Sequence, residues 1–250
     1  MHDLVIEDRR VSIKWISETL CISYGSVFLI DKLGLKNSAQ WVPRMLTPDQ
    51  KQVRVTLSEA LLAQINADSE NLFDRFVTMD ETWVHHFDPE TKQQSMEWRE
   101  KGSTPPQKFR VQASAGKVMA SVFWDCRGIL LIDYLPHKQT ITGVYYAELI
   151  SKLREAIKAK RRIMLTRGVL FQQDNAPVHE SEVAMSAIHS AGFELIDHPP
   201  YSPDLAPSDF FLFPNLKKPL RGIKFSSNEE VKGAVNQWFD SQDKTFFNRD

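Results

Sequence analysis

The stretch from Val169 to Phe213 decides the fold, and it reads VLFQQDNAPVHESEVAMSAIHSAGFELIDHPPYSPDLAPSDFFLF. It begins with a short apolar run, residues 169–171, which predicts a buried β-strand. Pro177 has no backbone N–H group to donate, so the strand is expected to end before it. Asp174 is therefore expected where a strand stops, at the edge of a sheet.

The other end of this stretch predicts a helix that carries a second acid. Ser208 is a suitable N-cap residue, and an apolar run follows at residues 210–213. Asp209 is then expected in the first turn of that helix. Two carboxylates at the ends of two elements can converge on one cation. Magnesium prefers oxygen ligands, with one or two protein carboxylates per ion.

A third acid lies upstream, in a run of residues that favours a strand. Residues 76–79, FVTM, lead directly into Asp80. Glu81 follows it, and the side chains of successive strand residues point to opposite faces. We therefore expect Asp80, and not Glu81, to join the other two acids.

These acids lie in strings that resemble the mariner-type transposases. The strings are MDETW around Asp80, QQDNAPVH around Asp174 and YSPDLAPSDFF around Asp209. The number of residues between Asp174 and Asp209 is 34, which is the spacing of that family. WVPRML (residues 41–46) is similar to its linker motif, and SMEWREKGSTPP (95–106) and VMASVFWDCRGILLIDYLP (118–136) are similar to its middle segments. The resemblance extends from about residue 11 to at least residue 224.

The resemblance implies an α/β fold, an RNase H-like catalytic domain with a mixed sheet and flanking helices. A small all-α helix-turn-helix segment would precede it. We therefore expect a helix-turn-helix segment over residues 1–36, a linker with the WVPR motif and a helix over residues 37–70, and the catalytic domain over residues 71–250. From the residues alone, the order of strands and helices supports only an α/β or α+β class.

The resemblance also implies a reaction and a cofactor. Asp80, Asp174 and Asp209 would be the catalytic residues and the ligands of two Mg²⁺ or Mn²⁺ ions, with Asp80 bridging them. The site would cleave DNA at the transposon ends and then join the freed 3′ hydroxyl to target DNA. Asn175 and His179 lie close to Asp174 in sequence and would orient it. The remaining histidines form no compact set of zinc ligands.

The expected partner is double-stranded DNA, both the terminal inverted repeats of a transposon and target DNA. Residues 11–20, a short turn and residues 24–33 have the pattern of a helix-turn-helix, although a plain helical hairpin has equal weight from the pattern alone. The resemblance implies a homodimer acting in the nucleus. It also implies a truncated copy, because the family carries another helix-turn-helix unit before this one. The DNA contacts it suggests are Tyr24, Ser26, Lys32, Trp41 and Arg44.

Composition fits a globular protein with no membrane partner. The chain has 250 residues, 42% of them hydrophobic, and no apolar run reaches the length that a bilayer requires. The net charge of −1 argues against strong non-specific DNA binding, because DNA-binding domains are usually basic. Three functions stay open: a mariner-type transposase, a non-enzymatic DNA-binding remnant, and an RNase H-like nuclease without preference for transposon ends.

Further elements follow from local patterns. Thr47, Pro48 and Gln50 predict a capping box at the start of a helix. Its apolar stripe at four-residue spacing is expected to pack in a core. Strands are expected over 117–124, 129–135 and 193–196, and helices over 145–160 and 182–191. After Asp209 come four basic residues, for which a solvated helix face and phosphate contact have equal weight: Lys217, Lys218, Arg221 and Lys224.

Overall fold

The computed structural model describes residues 13–23, 44–92, 94–96 and 111–248. The chain divides into two units, Met1–Met45 and Leu46–Asp250. In the described part of the first unit, helix α1 (Ile13–Thr19) lies inside the range predicted for the first helix of the helix-turn-helix. The predicted second helix lies outside the described residues, so the motif stays a prediction.

The second unit starts with a long helix, α2 (Pro48–Ala67), whose predicted capping box is confirmed. The Thr47 hydroxyl accepts a hydrogen bond from the backbone of Gln50, and the Gln50 side chain accepts one from the backbone of Thr47. The core packing predicted for this helix is wrong, because none of its residues is buried and Val53 is 43% exposed. Apolar spacing fixed the helical face, but it could not tell whether another element would cover that face.

A five-stranded mixed sheet forms the middle of the second unit, in the order β3-β2-β1-β4-β5. The central strand is β1; it pairs with β2 in antiparallel orientation, and β2 pairs with β3 as an antiparallel hairpin. On the other side, β1 pairs in parallel with β4, and β4 in parallel with β5. This sheet confirms the predicted mixed topology. The strands are β1 (Phe76–His85), β2 (Lys117–Asp125), β3 (Gly128–Tyr134), β4 (Val169–Gln172) and β5 (Phe193–Ile196).

Helices cover both faces of this sheet. Sequence patterns predicted α4 and α6 to within two residues of their bounds, and they missed α3, α5, α8 and α9. Three of the four, α3, α5 and α9, are shorter than two turns. The fourth, α8, has an apolar stripe at four-residue spacing, Val231, Val235 and Phe239, that the sequence analysis did not use. The helices after α2 are α3 (Ser69–Arg75), α4 (Gly143–Lys160), α5 (Arg162–Arg167), α6 (Glu182–Ala191), α7 (Phe213–Leu220), α8 (Asn228–Asp240) and α9 (Lys244–Phe247).

Two apolar clusters hold these layers together, one on each face of the sheet. Strand β2 supplies both, since Phe123 packs in the cluster with α4 and α6, whereas Val122 and Trp124 pack in the cluster with α7, α8 and α9. This alternation follows from the two-residue period of a strand. The sheet is therefore buried on both faces along most of its length. Because β4 ends at Gln172, opposite Thr78, the part of β1 beyond Thr78 has no β4 residue beside it and remains for a functional site.

In the part of the chain that the structure describes, no helix combines the length and the apolar character that crossing a membrane would require.

Helix α4 supplies the largest share of one core and offers a direct test of it. Leu153 is fully buried, so Leu153→Ala should lower the free energy of unfolding by about 2–5 kcal/mol through lost contacts and a residual cavity. Glu148 is exposed on the same helix, and Glu148→Ala should change stability by less than about 0.5 kcal/mol. Urea denaturation of both variants measures this difference, and equal losses would contradict the assigned core.

Candidate active site

The register of the two parallel central strands brings the first two acids together. Thr78 of β1 is paired with Gln172 of β4. Asp80 lies two residues after Thr78, and Asp174 lies two residues after Gln172. The two acids therefore lie side by side in neighbouring segments of the chain. The prediction that Asp174 directly follows the end of a strand is confirmed, because β4 ends at Gln172.

Asp209 reaches the same region from a π-helical turn, Ser208–Leu212, which runs into α7. The predicted capping role of Ser208 is wrong, because its side chain makes no capping hydrogen bond. Its hydroxyl is buried and instead accepts a hydrogen bond of 3.1 Å from the indole N–H of Trp124. This bond fixes the turn to strand β2, and the turn positions Asp209 beside β1.

The loop before this turn has two further anchors. The guanidinium of Arg54, on α2, donates to Ser202 over 3.0 Å and to the carboxylate of Asp204 over 2.8 Å. The side chain of Gln172 donates to the backbone carbonyl of Leu205 over 3.2 Å. A guanidinium that binds a carboxylate with two N–H groups also fixes its orientation. The third acid is thus carried by a loop attached to both a helix and a strand end.

The three acids act strongly on one another. Burial and the charge of Asp209 raise the pKa of Asp80 to about 8, and the charges of Glu81 and Asp174 contribute in the same direction. Burial and the charge of Asp174 also raise the pKa of Asp209. Like charges held close together oppose ionisation, so the cluster binds a proton at neutral pH that three isolated carboxylates would release.

Asp174 differs from the other two because it has a cationic partner. Its carboxylate lies 2.6 Å from Nδ1 of the buried His179. Burial disfavours ionisation of Asp174, but the hydrogen bond and charge of His179 outweigh it, so the pKa of Asp174 lies below its ordinary value. The expectation that His179 lies beside Asp174 is confirmed as a contact. Its role in orienting the acid for catalysis stays a prediction.

Glu81 completes this arrangement, although sequence reasoning left it out. Its carboxylate lies 3.3 Å from Nε2 of His179, whose ring also packs against Tyr146 with centroids 4.2 Å apart. Burial lowers the pKa of His179, but the hydrogen bonds with Asp174 and Glu81 raise it to about 10. The imidazolium therefore joins two carboxylates. Strand alternation did separate the side chains of Asp80 and Glu81, but it gave no sign that a histidine would bridge from Glu81 to the site.

Asn175 makes a different contact from the one expected. Its side-chain amide donates a 2.7 Å hydrogen bond to the backbone carbonyl of His198, which follows β5. It therefore fixes the segment after β4 to the segment after β5. Among the predicted DNA contacts, Arg44 is exposed. The other four, Tyr24, Ser26, Lys32 and Trp41, lie outside the described residues, so all five stay predictions.

The donor set suits a hard divalent cation. Within the described ranges, no three or more His, Cys, Asp or Glu side chains form a group that could hold one metal ion. Magnesium and manganese do not require such a group, because one or two carboxylates with water can complete their coordination. A cation between Asp80 and either partner would also remove the repulsion that raises the pKa of Asp80.

Known proteins similar to this chain are transposases or contain a related segment. A family model described as a transposase, partial DDE domain, matches residues 88–167, between the first and second acids. The Mos1 mariner transposase of Drosophila mauritiana is 30% identical over 251 residues, which are 99% of this chain and 71% of that protein. This chain is a member of the mariner transposase family. The Mos1 mariner paired end complex with Mn has a TM-score of 0.85 and 29% identity, with 99% of this chain and 72% of that one covered.

Another protein similar to this chain is much longer than the chain. Human histone-lysine N-methyltransferase SETMAR is 26% identical over 250 residues, and the match covers 99% of this chain but 36% of SETMAR. The likeness to the Mos1 structure confirms the RNase H-like fold expected of the mariner family. This likeness in fold does not assign catalytic or binding roles to individual residues of this chain.

The raised pKa of Asp80 predicts an unusual pH dependence. A carboxyl group with a folded pKa of about 8 and an ordinary value of 3.8 loses its contribution to stability as the pH rises between these values. Without divalent ions, Asp80→Asn should therefore melt at a higher temperature than the wild type above pH 8, and the difference should vanish near pH 4. Thermal melts across this range measure it.

The matched control is Asp197→Asn, which removes an exposed acid. Its melting temperature should follow that of the wild type at every pH. Added Mn²⁺ should stabilise the wild type and the control but not Asp80→Asn, because a ligand stabilises only a state that binds it. If the melting temperature of Asp80→Asn instead changed in parallel with that of the wild type across the pH range, the raised pKa of Asp80 would be contradicted.

Proposed function

We propose that this chain is a mariner-type DNA transposase that cleaves and joins phosphodiester bonds at a site formed by Asp80, Asp174 and Asp209. The observation that carries the proposal is the charge interaction among Asp80, Asp174 and Asp209, which come from three separate segments: burial, together with the charges of Asp209 and Asp174, raises the pKa of Asp80 to about 8. Such an arrangement costs stability, and perturbed acids of this kind cluster at functional sites. Membership of the mariner family gives the reaction class.

The cofactor that fits these residues is Mg²⁺ or Mn²⁺, held by Asp80 together with Asp174 and Asp209. When bound, such ions supply an acidified water and stabilise charge on the leaving oxygen. The protein residues position the DNA strand and keep the acids in place. His179 holds one oxygen of Asp174, which leaves the rest of that carboxylate for a cation. The similar Mos1 paired end complex contains Mn, which supports a divalent cofactor.

The proposed partner is double-stranded DNA, namely transposon terminal inverted repeats and target DNA, bound by a homodimer in the nucleus. The likeness to a Mos1 complex of paired ends supports this assignment, since pairing two ends suits two copies of the chain. A second candidate function is a non-enzymatic DNA-binding remnant. The observation that favours it is the lack, among the described residues, of a ready group of three metal ligands.

Nicking of supercoiled plasmid by the whole chain separates these two functions. The wild type should nick DNA with Mg²⁺ or Mn²⁺ and not with EDTA. Asp174→Asn should lower the rate by more than about a hundredfold, since even outer partners of metal ligands are worth about 10- to 100-fold. Asp197→Asn is the control and should keep full activity. A wild type that binds DNA but never nicks it would support the remnant instead.

A second substrate distinguishes a transposase from a general nuclease. Duplexes that carry the terminal repeat of the element should be cut at the repeat end, whereas scrambled duplexes of equal length should be cut slowly. Equal rates on both duplexes would indicate a nuclease without preference for transposon ends and would contradict the transposase assignment.

A further inference from the structure

A cavity of about 200 Å³ lies between the end of β1, the strand that carries Asp80, and helix α7, which follows the turn that carries Asp209. It is open to solvent and contains both charged and aromatic groups. The Arg221 guanidinium at its wall is already paired with Asp88 over 3.2 Å. Seven residues line it: Trp83, Val84, His85 and Asp88 from the end of β1 and the residues after it, and Lys217, Leu220 and Arg221 from α7 and its C-terminal end.

Lys217 is the cation of this cavity for which the described part of the chain offers no hydrogen-bond or ion-pair partner. Among the described residues, none accepts a hydrogen bond from its ammonium group or forms an ion pair with it. The ammonium is half-buried, and burial lowers its pKa although the charges of Asp88, Asp209 and Asp80 act in the opposite direction. A partly desolvated charge without a partner is costly, so it suits an anionic ligand.

The position of Lys217 identifies the kind of anion. Lys217 lines the cavity, and its electrostatic neighbours include Asp209 and Asp80, so its charge acts on the acidic site from the wall of the cavity. Cations bound at the acids would cancel much of the negative charge that now faces Lys217. A DNA strand with one phosphate at the acids presents a second phosphate immediately beside it, and lysine binds phosphate as a point charge.

We propose that Lys217 binds a phosphate of the DNA strand next to the phosphate that is cleaved. This inference rests on the proposed function for the identity of the strand. The cavity beside Lys217 accommodates the sugar-phosphate backbone of that strand as it leaves the acids. Lys218, the next residue of α7, is exposed and does not line the cavity, so it is the matched control for Lys217. A basic helix that bound DNA without a specific site would use both lysines alike.

The test is the salt dependence of DNA binding by the full chain, measured by fluorescence anisotropy with a short labelled duplex and no divalent ions. Each lost phosphate contact makes the slope of log affinity against log salt less steep by about 0.9. Lys217→Met should show this change, Lys217→Arg should keep the wild-type slope, and Lys218→Met should change it by less than half as much. Lys217→Gln replaces the Met variant if that variant does not fold.

A further variant separates phosphate binding from simple compensation of the acids. If Lys217 only neutralised Asp209, its substitution would have no effect on the slope in an Asp209→Asn background. The proposal predicts the same loss in both backgrounds. An unchanged slope for Lys217→Met, equal changes for Lys217→Met and Lys218→Met, or a loss that disappears with Asp209→Asn would each overturn it.

This measurement does not depend on cleavage. A chain that never nicks DNA would refute the proposed function, yet its slope would still report on Lys217. Conversely, a chain that nicks DNA with an unchanged Lys217→Met slope would refute the phosphate contact alone.

Discussion

The repulsion among three carboxylates at one end of the central strands is the constraint on which the rest of the structure depends. Asp80 is on the middle strand of the sheet, and its burial, together with the charges of Asp209, Glu81 and Asp174, raises its pKa to about 8. The repulsion must be met by rigid supports, because flexible carriers would let the acids separate. Strand pairing supports the first two acids, and a loop held by a tryptophan and an arginine supports the third.

Two cations act on this cluster and reduce its charge without removing it. His179 contacts Asp174 directly and is itself held by Glu81. Lys217 acts on Asp80 and Asp209 from α7 without contacting an acid. Asp174 is therefore ionised at neutral pH, whereas Asp80 is mostly protonated. Because ionisation is disfavoured at Asp80, this is the acid whose charged form a divalent ion would stabilise most.

Much of this architecture was predictable from local sequence. Short apolar runs and β-prone residues located the strands, and the end of the run before Pro177 placed Asp174 at a strand end. The predictions for Ser208 and Glu81 failed because each side chain binds a residue that is distant in the sequence. Ser208 has the right chemistry for a cap, but Trp124, 84 residues away, takes its hydroxyl. Glu81 was excluded by strand geometry, yet it reaches the site through His179, and only the folded chain brings these residues together.

Proton release on metal binding tests the central claim most directly. Mn²⁺ can be titrated into the protein near pH 7 by calorimetry in two buffers with different ionisation enthalpies. Because the pKa of Asp80 is about 8, cation binding at the three acids should release close to one proton per chain, and this release should fall toward zero above pH 9. Equal heats in the two buffers, or no binding at all, would contradict the assignment of these acids to one shared cation site.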